Sequence, residues 1–565
     1  MIRSVVGAAL GLTCTTDALS QDYPDYRRES FYVPAADGTR LAVNVYRPAT
    51  GDMVESRPLP VIFAATPYRA RYRDENGKVV ELALGDRLAL RSLIRAGYVV
   101  ATADVRGKGA SFGTRRGFQD RTEARDSHDL IQWLSRQPYA TGKVGMVGCS
   151  YLGGTTFQAA ASAPSALKAV FIGASDIDKY AFVRRGGIAA QFNTRPDEPA
   201  SYDLASVPVD ADPKGEQLAQ AVAGHAANTP MAGLWYSMPY RDSVSSLTGN
   251  AFWQEVALYD RLDAMRNAGI ATYFWGNWHD EPTAQSIQSA ASLGGRFLGG
   301  PGDHCNPPPG FDFTGEIRRY FDFHLKGEAN GLEQQPRATY WAEGKGWVRS
   351  QALPGEQSHP VTWYLSPGDV SMKGRGHLAP MPGRAAHDSF AVDYELGDSA
   401  YFAFWVDPMD AHGPSYSSAP LGQPMTLVGF PRVQLTVSSS TPDANVFVYL
   451  DEIDAQGKAQ VISFGRLALS SRKLSPAPYD TLGMPWHSGL AADAAPVKPG
   501  RKVALDIALT PVSRVVPAGH SLRVTVTGAD LRQRNLGEIR QDPAPVLTVW
   551  QGGADASRID LPVLD

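Results

Sequence analysis

Residues 143–154 read KVGMVGCSYLGG: a short apolar run, a serine among small residues, then the opening of a helix. This is the pattern of a nucleophile elbow, in which a strand ending in Val147 turns sharply at Ser150 before a helix takes over. The turn crowds the nucleophile's backbone against its neighbours, and small residues at Gly148 and Gly153 relieve the crowding. The strain lifts the Ser150 hydroxyl above the sheet edge, where a base can reach it. Glycine and serine also fall together by chance in loops, and the chain holds 55 glycines. The string departs from a strict GxSxG as well, because Leu152 stands at the second glycine position and Gly153 comes one place late. Cys149 is a rival nucleophile, but an elbow centred there would put Val147 and Tyr151 at both crowded sites. It is expected to pack as a small hydrophobe against the sheet.

Outward from the elbow, strand-like apolar runs at 59–65, 98–103, 144–147 and 169–172 alternate with helical patterns at 86–96, 122–136 and 151–162. Such alternation predicts a mostly parallel sheet covered on both faces, an α/β fold. Runs at 271–275 and 297–298 resume the pattern after a gap at 177–268, which is polar and helical and ends in an amphipathic stretch at 253–267. An insertion of that size reads as a helical cap domain over the sheet edge. From about residue 350 helical periodicity fades. Short alternating strands, including 433–437, 446–450, 503–509 and 521–526, appear between Pro and Gly, which predicts a C-terminal β-sandwich of jelly-roll type. The expected order is therefore core (21–176), cap (177–268), core (269–349) and jelly roll (350–565).

A serine hydroxyl needs a histidine to take its proton and a carboxylate to orient that histidine. In sheets of this type the order along the chain is serine, acid, histidine, each in a loop after a strand. The run ATYFWGNWHD places Asp280 just beyond one late strand, and RFLGGPGDHCN places His304 just beyond the next. His279 adjoins Asp280 but precedes it, and Asp303 and Glu281 are nearby rival carboxylates. Trp275, Trp278 and the aromatic run 401–405 could line an apolar acyl pocket, although residues of this kind are more often core.

At 565 residues the chain exceeds a single core. Its net charge of −4 leaves no basic surface to suggest nucleic acid, and no apolar run is long enough to span a bilayer. The N-terminus resembles an export signal: Arg3, an apolar stretch, then Ala18, Leu19 and Ser20 before Gln21, so residues 1–20 are expected to be removed from a periplasmic or secreted protein, a cytoplasmic protein with accidental N-terminal alanines being the alternative. Gly11, Leu12 and Thr13 make a poor lipoprotein box for Cys14. After cleavage only Cys149 and Cys305 remain, too few for a disulfide framework, and they are expected to be buried thiols and not a bridge.

With these landmarks in order, the chain resembles the cocaine esterase and X-prolyl dipeptidyl-peptidase group of α/β-hydrolases through nearly its whole length. VPAADGTRLAVNVYRP resembles the family's first hairpin. ATPYRAR, DVRGKGASFG, HDLIQWLSRQPYATGKVGMVGCSYLGG, WGNWHD and GPGDHCN resemble the landmarks that follow. The family's elbow is GxSYxG, which accommodates the displaced Gly153. The resemblance implies a Ser150–His304–Asp280 triad, a hydrolase core with a helical cap and a jelly roll, no cofactor, and Tyr68 as an oxyanion donor. The backbone N–H of Tyr151, at the start of the elbow helix, would be the second donor. Arg106, Gly107 and Gly109 match an RGxG landmark that lacks the spacing of a phosphate loop and is taken as structural.

The expected reaction is two-step acyl transfer to water on a small ester or amide, with esters of uncharged or aromatic acids first. An X-Pro dipeptidyl-peptidase or a β-lactam or glutaryl acylase is the alternative. Glu281, followed by Pro282 and Thr283, makes at best a partial version of the carboxylate cluster with which amino-ester hydrolases grip an ammonium group. A catalytically idle surface protein that binds carbohydrate is the alternative of another class. Homo-oligomerisation stays open.

Overall fold

A computed structural model describes residues 22–189, 197–368, 375–396, 405–532 and 540–565. The expected signal segment therefore lies outside the described residues, as do 401–404 of the aromatic run. The apolar runs of the first part pair into an eleven-stranded sheet. In chain order its strands are β1 (Asp25–Pro34), β2 (Arg40–Thr50), β3 (Met53–Val54), β4 (Leu59–Thr66), β5 (Val99–Asp104), β6 (Ala140–Cys149), β7 (Leu167–Gly173), β8 (Ala271–Asn277), β9 (Arg296–Gly300), β10 (Ala338–Ala342) and β11 (Gly346–Ser350). Across the sheet the order is β1-β2-β5-β4-β6-β7-β8-β9-β10-β11, with β3 on β2. The strands from β5 to β10 along this path are parallel, and antiparallel pairs close both edges.

Neighbouring residues of a strand point to opposite faces, and here both faces are covered. Ile62 packs with Tyr46, Val100 and Val147 on one side, while Phe63 packs with Val45, Ala101 and Met146 on the other. That double burial is why the central strands read as unbroken apolar runs. Helices α1 (Leu90–Arg95), α2 (Arg121–Ser135) and α3 (Tyr151–Ala161) connect the early strands. The start of α2 is set by Asp120, whose carboxylate accepts from the backbone N–H groups of Thr122 (2.9 Å) and Glu123 (3.1 Å).

Between β7 and β8 the chain forms α4 (Lys179–Val183), α5 (Ala200–Leu204), α6 (Glu216–Gly224), α7 (Met231–Tyr236), α8 (Phe252–Val256) and α9 (Leu262–Asn267). The amphipathic stretch at 253–267 is thus broken and not one helix. Ala257 turns extended (φ −62°, ψ 139°), the Leu258 N–H donates to the Ile177 carbonyl (3.1 Å), and the Val256 carbonyl accepts from Gln158 Nε2 (2.7 Å). Tertiary partners have taken the backbone groups that a continuous helix would have used.

Helices α10 (Thr283–Leu293) and α11 (Phe313–Phe321) complete the first part. The chain then enters a thirteen-stranded sheet running from His359–Ser366 to Arg558–Val563. Its pairings are antiparallel apart from Arg375–Ala379 with Ser415–Ser417. Loops of the insertion pack on this second part: Ile188 and Ala189 join its apolar cluster, and Arg241 Nε donates to the Ser488 carbonyl at 2.6 Å.

Candidate active site

Because β4, β6, β8 and β9 run parallel, the loops after them emerge at one edge of the sheet, and these loops carry Tyr68, Ser150, Asp280 and His304. Ser150 directly follows β6 with φ 59° and ψ −125°, a left-handed φ that non-glycine residues seldom adopt. Its N–H donates to the carbonyl of Gly173 at the end of β7 (3.1 Å). A Cβ on Gly148 would lie 2.1 Å from the Leu152 carbonyl oxygen, and one on Gly153 would lie 2.2 Å from that of Gly173. Both small residues are therefore required where the sequence pattern asked for them.

Tyr151 is the first residue of α3, where a helix N–H has no partner within the helix. Its side chain is locked from below: the hydroxyl donates to Glu123 (2.6 Å), and its carbonyl accepts from Gln119 Nε2 (2.8 Å). Burial pushes the Glu123 carboxyl up to about 8, against the opposing pull of Arg115. Sequence reasoning did not find Glu123 or Gln119. Both are polar residues in and before α2 that carry no motif, and only the packing of α2 on α3 assigns them. The Tyr68 ring lies 6.1 Å from that of Tyr151, edge on, and Tyr68 is 38 % exposed. Together with Arg115, Phe118, Asp197, Glu198 and Met231 these rings line a small open cavity.

Asp280 is buried in the loop after β8, and its Oδ2 accepts from His304 Nδ1 at 2.8 Å. Burial opposes a charge on the His304 ring, but the Asp280 carboxylate and its hydrogen bond outweigh this and hold the imidazole above its ordinary pKa. The rival His279 lies instead against the Trp405 ring, 4.9 Å away, and its N–H donates to the Gly302 carbonyl. Asp303 contributes its carbonyl to Asn277 Nδ2 (2.6 Å), which shapes the histidine loop. Glu281 is consumed by Arg532 (2.6 Å), Arg466 (3.4 Å) and Arg185 (3.6 Å). Burial would raise its carboxyl, yet the three guanidiniums hold it well below the usual carboxylate range. It is not available to grip a substrate ammonium.

One expectation is overturned. Cys149 and Cys305 are not separate buried thiols but a disulfide, with Cα atoms 5.9 Å apart across 156 residues of chain. A residue beside an outward-facing serine does point away from solvent. Here, however, the histidine loop passes under the elbow, so the two inward directions meet. Since consecutive Cα atoms are 3.8 Å apart, the bridge leaves the Cα atoms of Ser150 and His304 no more than about 14 Å apart. Trp275 is fully buried against Phe313 in the sheet core, and Trp278 donates to the Trp341 carbonyl (2.7 Å). Arg106 clasps Asp126 through two nitrogens (2.7 and 2.6 Å) and Asp37 through a third (2.8 Å), a structural role for the RGxG loop.

Residues 37–306 match the family model of X-Pro dipeptidyl-peptidases (S15 family), and residues 330–535 match that of the X-Pro dipeptidyl-peptidase C-terminal non-catalytic domain. The chain belongs to the X-Pro dipeptidyl-peptidase S15 family. Within reach of this family it is similar to a Mycobacterium bovis protein named as a serine esterase, 27 % identical with 96 % of each chain covered. It is also similar to the cocaine esterase of a Rhodococcus species, 25 % identical, covering 94 % of this chain and 97 % of that one. Among solved structures it resembles a CocE/NonD family hydrolase of Staphylococcus aureus (TM-score 0.73, 18 % identity, 95 % and 94 % covered). An α-amino acid ester hydrolase is similarly close (TM-score 0.69, 18 % identity, 98 % and 100 % covered). The fold is that of the α/β-hydrolases with a separate C-terminal domain, and the chain is a hydrolytic enzyme acting on ester or amide bonds. The idle carbohydrate-binding alternative is thereby set aside. Among the described residues no helix is long and apolar enough to cross a membrane.

Proposed function

We propose that this enzyme is a serine esterase that cleaves small carboxylic esters of uncharged or aromatic acids through an acyl-enzyme on Ser150. His304 takes the Ser150 proton as the hydroxyl attacks the carbonyl carbon. Asp280 fixes the imidazole tautomer and balances the imidazolium, and the Tyr68 hydroxyl and Tyr151 N–H hold the oxyanion. His304 then gives its proton to the leaving alcohol, and water, deprotonated by the same ring, releases the acid. The observation that carries this reading is the hydrogen bond between buried Asp280 and half-buried His304 at the same sheet edge as the strained Ser150 turn. In this reading the α4–α9 insertion acts as a cap and the second sheet is a jelly roll. A fluorophosphonate tests the assignment directly: stoichiometric modification at Ser150 is expected, and modification elsewhere or none would sink it.

A second reading rests on Asp197 and Glu198 at the cavity beside Tyr68, since carboxylates there could receive a substrate amine. Glu198 is already bound to Lys108 Nζ at 3.1 Å, which favours the ester of an uncharged acid over an aminoacyl-proline amide. Turnover of p-nitrophenyl esters against aminoacyl-proline amides separates the two. Export is part of the proposal, because a disulfide persists best in an oxidising compartment. Sequencing the N-terminus of the protein recovered from its native host tests it, with cleavage after Ser20 as the expected result.

A further inference from the structure

The Cys149–Cys305 disulfide joins the residue before the proposed nucleophile to the residue after the proposed base. Its two ends sit on elements that nothing in the local chain holds together. Cys149 closes β6 and passes straight into the elbow. Cys305 lies in the long irregular stretch between β9 and α11, which has no ladder hydrogen bonds of its own. On the side facing β8 that stretch is well tethered: Asn277 Nδ2 donates to the carbonyls of Asp303 (2.6 Å) and Asn306 (2.8 Å), and His304 Nδ1 meets Asp280. These contacts fix the histidine to its acid. They do not reach the elbow, which stands two strands away across β7.

The backbone on both sides of the bridge is held in an unusual conformation. Ser150, directly after Cys149, has φ 59°, and Cys305 itself has φ 57°, both in the left-handed region that non-glycine residues seldom occupy. Cys149 is buried and Cys305 packs against the same apolar cluster, so the sulfurs lie beneath the site and do not take part in it. Such residues persist where the surroundings over-determine them, and a covalent cross-link between the two turns supplies that constraint.

We propose that the Cys149–Cys305 bridge is a positioning device for acyl transfer, setting the separation of Ser150 from His304 as the Asp280 hydrogen bond sets the orientation of the ring. This rests on the reading of Ser150 and His304 as nucleophile and base. Proton transfer between them demands hydrogen-bond reach, and a displacement of about 1 Å can cost on the order of 10²-fold in rate. Without the bridge, substrate binding should change little, since Tyr68 and the cavity rings are held by other elements. The chemical step should fall.

The test uses the full chain carrying Cys14→Ser, compared in three forms: oxidised, reduced by dithiothreitol, and Cys149→Ser/Cys305→Ser. Reduction breaks the S–S bond and places one hydrogen on each sulfur, and the reagent leaves as its cyclic disulfide. Thiol titration of the oxidised form under denaturant should find no free thiol, and finding two would overturn the proposal. For the reduced and double-serine forms, kcat on p-nitrophenyl butyrate and the rate of fluorophosphonate labelling should fall together by about 10- to 100-fold. KM and the near-UV circular dichroism should be retained, and kcat should return when the reduced form is reoxidised. Full turnover without the bridge would overturn the proposal. So would a loss of turnover that appears only with collapse of the near-UV signal, which would make the bridge a general staple. Ser150→Ala in the oxidised form separates this from the underlying reading: wild-type turnover there removes the nucleophile itself, whatever the bridge does.

Discussion

Replacing Asp280 by Asn keeps the shape of the side chain and removes its charge. His304 Nδ1 is 2.8 Å from Asp280 Oδ2, the aspartate is 1 % exposed, and its Oδ1 has no hydrogen-bond partner among the described residues. The imidazolium that forms when His304 accepts the Ser150 proton leans chiefly on this carboxylate, with Asp303 adding to the attraction. With charge centres about 4 Å apart and an effective dielectric near 20, the attraction is about 4 kcal/mol. At about 1.36 kcal/mol per decade, that is roughly three decades of rate. The asparagine amide can also donate to Nδ1, which moves the ring proton to Nε2 and leaves no acceptor for the serine, so the full loss in kcat should reach about 10³ to 10⁴.

The same change has a pH signature. Asp280 holds the His304 pKa above its ordinary value, so kcat/KM of the wild type should decline as pH falls through a point above about 6.5, where the base becomes protonated. In Asp280→Asn the burial that disfavours the charged ring remains while the carboxylate that favours it is gone, so the acid limb should move to lower pH. Hydrolysis of p-nitrophenyl butyrate followed from about pH 5 to 9 measures both effects. A loss smaller than about tenfold across that range, or an acid limb that does not move, would refute the reasoning.

Ser150→Ala should lower kcat by about 10⁴ to 10⁶ with unchanged thermal unfolding and no fluorophosphonate label; near-normal turnover would rule Ser150 out as nucleophile. Tyr68→Phe should cost about 10² to 10³ in kcat with little change in KM, because the hydroxyl acts on charge that develops only in the transition state. A rise in KM alone would make the tyrosine a binding residue. Glu281→Gln leaves Arg185, Arg466 and Arg532 without their shared anion, and breaking a buried ion cluster in this way should destabilise the fold by about 3 to 5 kcal/mol, read as a lower Tm. The ratio of turnover on α-amino and des-amino esters should stay as it was. A changed ratio at unchanged Tm would return Glu281 to the substrate.

Much of the core was legible before any coordinates because its strands are buried on both faces and so announce themselves as apolar runs. The runs at 59–65, 144–147 and 169–172 lie within Leu59–Thr66, Ala140–Cys149 and Leu167–Gly173, and the run at 98–103 begins one residue ahead of Val99–Asp104. The amphipathic stretch at 253–267 misled. Its period is helical, but a hydrogen bond from Leu258 to Ile177, far away in sequence, captures the backbone midway. Asp280 and His304 could be proposed from their places just beyond successive late strands, a local signal. Glu123 and Gln119 could not, because they act through the packing of one helix on another and follow no spacing rule.

The sequence by itself determined the order of elements, the sharp turn at Ser150 and the sheet edge to which its partners belong, because strand burial, turn crowding and strand direction are local properties written into short stretches. Only the tertiary structure decided that Cys149 meets Cys305, that Glu281 is spent on three arginines, and that Glu123 braces Tyr151. Each of these depends on which distant segments come within a few ångströms of one another, and a pattern along the chain carries no record of that distance.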